Sequence, residues 1–184
     1  MKQAGFREEQ KDGFSLVELM LVMALFGILS ALSISGFLRS APERHLRNAA
    51  RNLYADLQRA RLLAVNKNKK ISVRFNEAGN AYYIDEDAEG EEGYKVCNAS
   101  ELKRSLADYG GVEYGKGAAV KNWNNTDINR VVPNHNVISF KATGTASSAS
   151  VYLQHVNRDA VTYAVTTTNF GAVKVRSFNG STWE

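Results

Sequence analysis

The spacing of hydrophobic positions changes twice along this chain of 184 residues. Residues 14–37 are apolar on every helical face and carry one charge, Glu18. Wound as a helix, about 24 residues rising about 1.5 Å each reach across the hydrocarbon core of a bilayer. A lone carboxylate near the start of such a helix costs a few kcal/mol on insertion scales, so Glu18 either has a partner or stays hydrated at headgroup depth. Further on, Leu46, Ala50, Leu53, Leu57, Ala60 and Ala64 recur at steps of three and four. That period predicts an amphipathic helix whose stripe packs on a sheet. Its other face is basic, with Arg44, Arg47, Arg51, Arg59 and Arg61. A weak point is expected at Ser35-Gly36, with Pro42 in the first turn of the second half. Asn66-Lys67-Asn68-Lys69-Lys70 closes the helix with cations, which the macrodipole favours there. They read as a solvated cap or as a patch for anionic partners.

After Lys70 the period becomes two. Ile71-Ser72-Val73-Arg74-Phe75, turn residues at 77–80 and Ala81-Tyr82-Tyr83-Ile84 predict a β-hairpin. Residues 85–92 then hold six carboxylates, Asp85, Glu86, Asp87, Glu89, Glu91 and Glu92. Mutual repulsion predicts a solvated mobile loop. A calcium site is the functional alternative, although the spacing fits no defined calcium loop. Residues 93–133 have a poor pattern with short apolar pieces such as Gly111-Val112-Glu113-Tyr114. Four strand-like runs follow, at 137–140, 151–154, 160–166 and 172–178, and predict an antiparallel meander.

A mean hydropathy of −0.32 beside so apolar a run means that the remainder is polar, a soluble head on a membrane stem. The length allows one globular domain plus a long helix. The single cysteine, Cys97, offers no intrachain disulfide, so the fold must rest on packing. His45, His135 and His155 are scattered, and there is no nucleophile elbow, phosphate loop or metal-ligand spacing. No catalytic residue, cofactor or metal is therefore expected. The net charge is +4, and the isoelectric point of about 9.2 raises nucleic acid as a partner.

Gly13-Phe14-Ser15-Leu16-Val17-Glu18, followed by the apolar run, resembles the prepilin cleavage and methylation motif of type IV pilins and pseudopilins. The resemblance implies that residues 1–13 are a leader and that a prepilin peptidase cuts between Gly13 and Phe14 on the cytoplasmic side. Phe14 then becomes an N-methylated N-terminus. It also implies that Glu18 neutralises the N-terminal amine of a neighbouring subunit, which supplies the missing partner. The leader balances Lys2, Arg7 and Lys11 against Glu8, Glu9 and Asp12, so its removal leaves the net charge unchanged. Because the apolar segment follows the cut, this is not a secretory signal peptide. Basic residues on both sides of the segment leave orientation open, and the head-out orientation is what the resemblance implies.

The order of long helix, hairpin, irregular middle and terminal strands is similar to the GspH/FimT family of minor pseudopilins. Phe140-Lys141-Ala142-Thr143-Gly144-Thr145 and Phe170-Gly171-Ala172-Val173-Lys174-Val175 carry the likeness in the head. The implied fold class is α+β, type IV pilin-like, a long N-terminal helix packed on an antiparallel β-sheet head. The implied organisation is leader 1–13, transmembrane helix 14–38, amphipathic stem 39–70 and periplasmic head 71–184. The implied role is that of a structural subunit in a type II secretion pseudopilus or a type IV pilus. Its partners would be other pilins or pseudopilins, the prepilin peptidase and the bacterial inner membrane. The alternative is a FimT-like pilin that binds DNA in natural transformation, with Lys174 and Arg176 as contacts. DNA-binding members carry glycine-arginine-any-arginine in the last strand, whereas the matching positions here are Gly171, Ala172, Val173 and Lys174. DNA is therefore the less favoured partner.

Overall fold

The computed structural model describes residues 14–86 and 102–184, apart from the side chains at 31–40 and 159. Gly13, Cys97 and the acidic positions 87–92 lie outside the described residues. The chain divides into two units, Met1–Ser40 and Ala41–Glu184. In the first, the helix α1 (Leu16–Asn66) begins with Glu18 in its first turn, where the positive end of the macrodipole favours a carboxylate. The described large apolar residues there, from Phe14 and Leu16 to Ile28 and Leu29, are all exposed.

The second unit contains the rest of α1 and all the described strands. Pro42 stands inside α1, not in the first turn of a separate helix. A proline forfeits one backbone hydrogen bond, but Leu46 one turn on is already buried and its packing holds the helix through that point. The weak point expected at Ser35-Gly36 falls outside the described side chains. Every member of the stripe, Leu46, Ala50, Leu53, Leu57, Ala60 and Ala64, is buried, and Ala49 joins them. The helix ends in a left-handed Asn68, φ +49°. The amides of Asn68 and Lys69 turn back to the Val65 and Ala64 carbonyls, both at 3.2 Å, so the last orphan acceptors are satisfied.

Two four-stranded antiparallel sheets lie against this helix. The strands are β1 (Ile71–Asn76), β2 (Ala81–Asp85), β3 (Lys103–Ser105), β4 (Val112–Tyr114), β5 (Val137–Phe140), β6 (Ala149–His155), β7 (Arg158–Thr167) and β8 (Val173–Phe178). The first sheet has the order β3-β2-β1-β5 and the second β4-β6-β7-β8. The predicted hairpin is β1–β2, and β6–β7–β8 form the expected meander. β5 does not belong to that meander. It pairs with β1, setting Phe140 opposite Ile71 and Ile138 opposite Val73. This extends the apolar face of the first sheet, which is why β5 pairs there.

One core joins the helical stripe to Ile71, Val73 and Phe75 of the first sheet and to Val151, Leu153, Val165 and Val173 of the second. Asn80, at φ +47°, ties the two sheets together. Its amide group donates to the Val112 carbonyl at 2.7 Å and accepts from the Tyr114 amide at 3.2 Å. The other face of the second sheet is covered from residues 119–131, through Ala119, Trp123 and Ile128 on Tyr152, Ala164, Phe178 and Trp183.

The alternation in β1 does not mark a solvated face. Ser72 and Arg74 are buried as fully as Val73. Ser72 shares a hydroxyl hydrogen bond of 2.9 Å with Ser139, and Arg74 donates to Asp85 at 2.7 Å. Asp85 is therefore a buried ion-pair partner, not the first residue of a solvated loop. Charges leave water only when each neutralises the other. Glu86 pairs with Lys67, so one of the cations after the helix already has an anionic partner within the chain.

Candidate functional site

Two places in the chain carry residues without enough partners of their own. The first is the described start of α1. Phe14 is 84% exposed, and Glu18 follows it by four residues in the first helical turn. Leu16, Val17, Leu19, Met20, Leu21, Met23, Leu25, Phe26, Ile28 and Leu29 are exposed on all sides. A helix apolar all round belongs in a membrane or inside a bundle of other helices. A carboxylate in that setting is chemically suited to neutralise an amine brought to it by another chain. Among the described residues no helical stretch is long and apolar enough to cross a membrane. The sequence run continues into positions 31–37, outside the described side chains.

The second place is an open groove of about 760 Å³ in the head, between α1 and β8. Arg47, Arg51, Tyr54, Tyr163 and Glu184 line it together with residues 173–177 of β8. Arg47 donates to the Tyr163 hydroxyl at 3.1 Å and to Glu43 at 3.2 Å. The hydroxyl first, and Glu43 less, push the Arg47 pKa above its ordinary value, so it remains a cation. Arg51 and Lys174 are exposed and have no hydrogen-bond or ion-pair partner among the described residues.

Lys174 and Arg176, named from the sequence as DNA contacts, share the face of β8 turned away from α1. They lie opposite Thr166 and Ala164 of β7. Arg176 is not free to reach a phosphate, because its guanidinium stacks on the Trp123 ring, 4.9 Å from the centroid. The basic face of the helix is also divided. Arg61 donates to the Gly144 carbonyl at 3.0 Å and serves packing. Gly144 and Gly171, the glycines of the two head segments, meet at that point. A side chain on Gly171, at φ +76°, would strike the Gly144 carbonyl oxygen at 1.9 Å.

The three histidines are not brought together. His45 lies on α1, His135 in the short turn Asn134–Asn136, and His155 at the end of β6. His155 is buried, with Nδ1 accepting from the Asn157 amide at 3.1 Å and Nε2 at 2.9 Å from the Gly110 carbonyl. Both ring nitrogens thus have structural partners. Among the described residues no three of His, Cys, Asp and Glu gather as metal ligands would. Sequence reasoning missed Asp56, buried on α1, which accepts from the Tyr82 hydroxyl at 2.8 Å and from Arg104 at 3.2 Å. A charge between Leu53 and Leu57 in the stripe was the available signal.

Residues 10–34 match the prokaryotic N-terminal methylation motif. Residues 49–171, well over half of the chain, match the family of the type II transport protein GspH. The chain belongs to this family. Among solved structures it is similar to the minor pseudopilin EpsH of the Vibrio cholerae type 2 secretion system, at 10% identity and a TM-score of 0.49 over 71% of this chain and 95% of that one. It is also similar to the type IV minor pilin FimU of Pseudomonas aeruginosa, at 18% identity and a TM-score of 0.47 over 72% and 89%. No curated protein is close enough in sequence to count as a relative. The chain thus joins an N-terminal methylation motif to a GspH-family domain.

Proposed function

We propose that this GspH-family protein is a structural subunit of a type II secretion pseudopilus or a type IV pilus, with an assembly, priming or tip role, and that it performs no catalysis. The prepilin peptidase removes residues 1–13 by cutting between Gly13 and Phe14, and Phe14 becomes the methylated N-terminus. Residues 14–38 then hold the protein in the bacterial inner membrane as a single span with the head in the periplasm. On assembly the same helix enters a bundle of like helices, and Glu18 neutralises the N-terminal amine of a neighbour. The observation that carries this reading is the start of α1, a helix exposing large apolar side chains on every side around one carboxylate.

The test combines processing with assembly. The protein isolated from membranes of a strain with an active prepilin peptidase is expected to begin at methylated Phe14 by mass spectrometry. Glu18→Ala is expected to insert as well as or better than the parent, because a costly carboxylate is gone, while its incorporation into filament complexes falls. A chain still starting at Met1, or full incorporation of Glu18→Ala, would count against the proposal. DNA uptake has less support, since the first arginine of the DNA-binding motif is Ala172 here and Arg176 is held on Trp123.

A further inference from the structure

The strand β8 forms one edge of the second sheet, with only β7 beside it among the named strands. Alternate residues of an antiparallel strand turn their amide and carbonyl toward opposite neighbours. The Thr168 amide bonds the Ala172 carbonyl at 2.9 Å, which sets the phase: residues 172, 174, 176 and 178 face β7, while 173, 175 and 177 face outward. Ser177 confirms this phase. It exchanges two backbone hydrogen bonds with Glu184, at 3.0 and 2.8 Å, on the outer side. Trp183 and Glu184 thus already lie along this edge as a short piece of strand. Val173 and Val175, next in line, have no outer backbone partner among the described residues.

This stretch of edge, exposed at Val175 and buried at Val173, forms one wall of the arginine groove. Along it stand Arg47, Arg51, Lys174 and Arg176 against Glu184; Arg47 is paired with Glu43 and Arg176 is stacked on Trp123, which leaves Arg51 and Lys174 as the cations without a partner among the described residues. Arg47 and Arg51 lie on the α1 side of β8, and Lys174 lies on the other, so cations flank both faces of any strand laid there. Unpaired backbone supplies affinity for an extended segment, and side-chain charge supplies selection.

We infer that the outer edge of β8, exposed at Val175, is a docking site for an extended, carboxylate-bearing peptide segment, which adds as a further strand. The segment runs beside Val175 and sets its acidic side chains on Arg51 and Lys174. A neighbouring filament subunit is its source; that attribution alone rests on the filament-subunit reading. Lys174 and the Trp183–Glu184 pairing otherwise serve only to blunt an aggregation-prone edge, and the experiment distinguishes the two roles.

The probe is a hexapeptide alternating valine and glutamate, titrated by fluorescence anisotropy against the full chain in detergent. In either register its glutamates meet cations. Saturable binding is expected, at least tenfold weaker for a valine–lysine peptide and for a probe with alternate backbone nitrogens methylated. Val175→Pro removes an amide that no other strand of the sheet uses, a substitution that sheet edges tolerate. It is expected to weaken binding at least tenfold without lowering the melting temperature by more than a few degrees, and Arg51→Glu should weaken it similarly. Absence of saturable binding, equal binding of the methylated probe, or binding unchanged in Val175→Pro overturns the proposal. A duplex DNA fragment bound through Arg51 with no effect of Val175→Pro would overturn it too, and would make the groove a phosphate site. Failure of the filament reading is seen separately, in the N-terminus and in Glu18→Ala, and leaves the peptide result standing.

Discussion

The two described parts of α1 are built on opposite rules. Residues 41–66 bury a narrow stripe of leucines and alanines against the sheets and leave arginines on other faces. Residues 16–30 have no stripe, and their leucines, methionines and valines are exposed all round. A stripe is an address within the same chain, because it fits one flat surface. Uniform apolarity names a surrounding instead, lipid or a ring of other helices. One helix thus covers the folded head at one end and, in the function proposed above, serves insertion or assembly at the other.

The hardest way to break this comparison is to remove each part in turn. A protein beginning at Pro42 is expected to be soluble and to melt cooperatively, since the stripe stays with the sheets. One beginning at Ile71 loses that cover, exposes the apolar faces of both sheets and should associate and lose cooperative melting. Similar melting of the two would mean that the stripe packs elsewhere. Single substitutions sharpen the point. Leu53→Ala, at a residue 0% exposed, should cost about 2–5 kcal/mol by denaturant unfolding. Leu25→Ala, at a residue 52% exposed, should leave the stability of the head unchanged.

These contrasts were legible because a period is a local property. The stripe, the hairpin and the β6–β8 meander all appear in the sequence as spacing. The placement of β5 does not, since an alternating run says that a strand exists without saying which edge it joins. Ser72, Arg74 and Asp85 look like a solvated face until Arg74 and Asp85 are set 2.7 Å apart. The groove is hidden for the same reason, because Arg51 and Val175 stand far apart in sequence and only folding makes them neighbours. The methylation motif at residues 10–34 was readable because it is contiguous. The stacking of Arg176 on Trp123 was not.

A smaller effect is expected where the head segments meet the helix. Gly171→Ala places a Cβ on the Gly144 carbonyl and holds alanine at φ +76°. The left-handed backbone alone costs about 1–2 kcal/mol, and the clash adds to it, so about 2–3 kcal/mol lost in denaturant unfolding is the expected outcome. A neutral result would show that the two turns move apart freely. The same substitution should not change incorporation through the N-terminal helix beyond the loss of folded head.

The smallest effect tests a polar contact within the covered part of the helix. Burial first, then the charge of Asp56, raises the Tyr82 pKa well above the ordinary tyrosine value of about 10, and burial raises that of Tyr114. A tyrosine with a raised folded pKa stabilises fully below the unfolded value, and the stability falls once pH exceeds it, because the unfolded chain then releases a proton that the folded one keeps. Stability should therefore be level in this respect below about pH 9 and decline above about pH 10, each buried tyrosine contributing up to about 1.4 kcal/mol per pH unit. Tyr82→Phe removes the hydrogen bond to Asp56 and should cost about 1–3 kcal/mol at neutral pH. It should also make the alkaline decline shallower, because one of the three tyrosine hydroxyls with raised pKa values, those of Tyr82, Tyr114 and Tyr152, is gone. Denaturant unfolding of a protein beginning at Pro42, at pH 8 and pH 10.5, measures both effects. An equal alkaline slope with and without the Tyr82 hydroxyl would mean that it reaches solvent and that Asp56 relies on Arg104 for its charge.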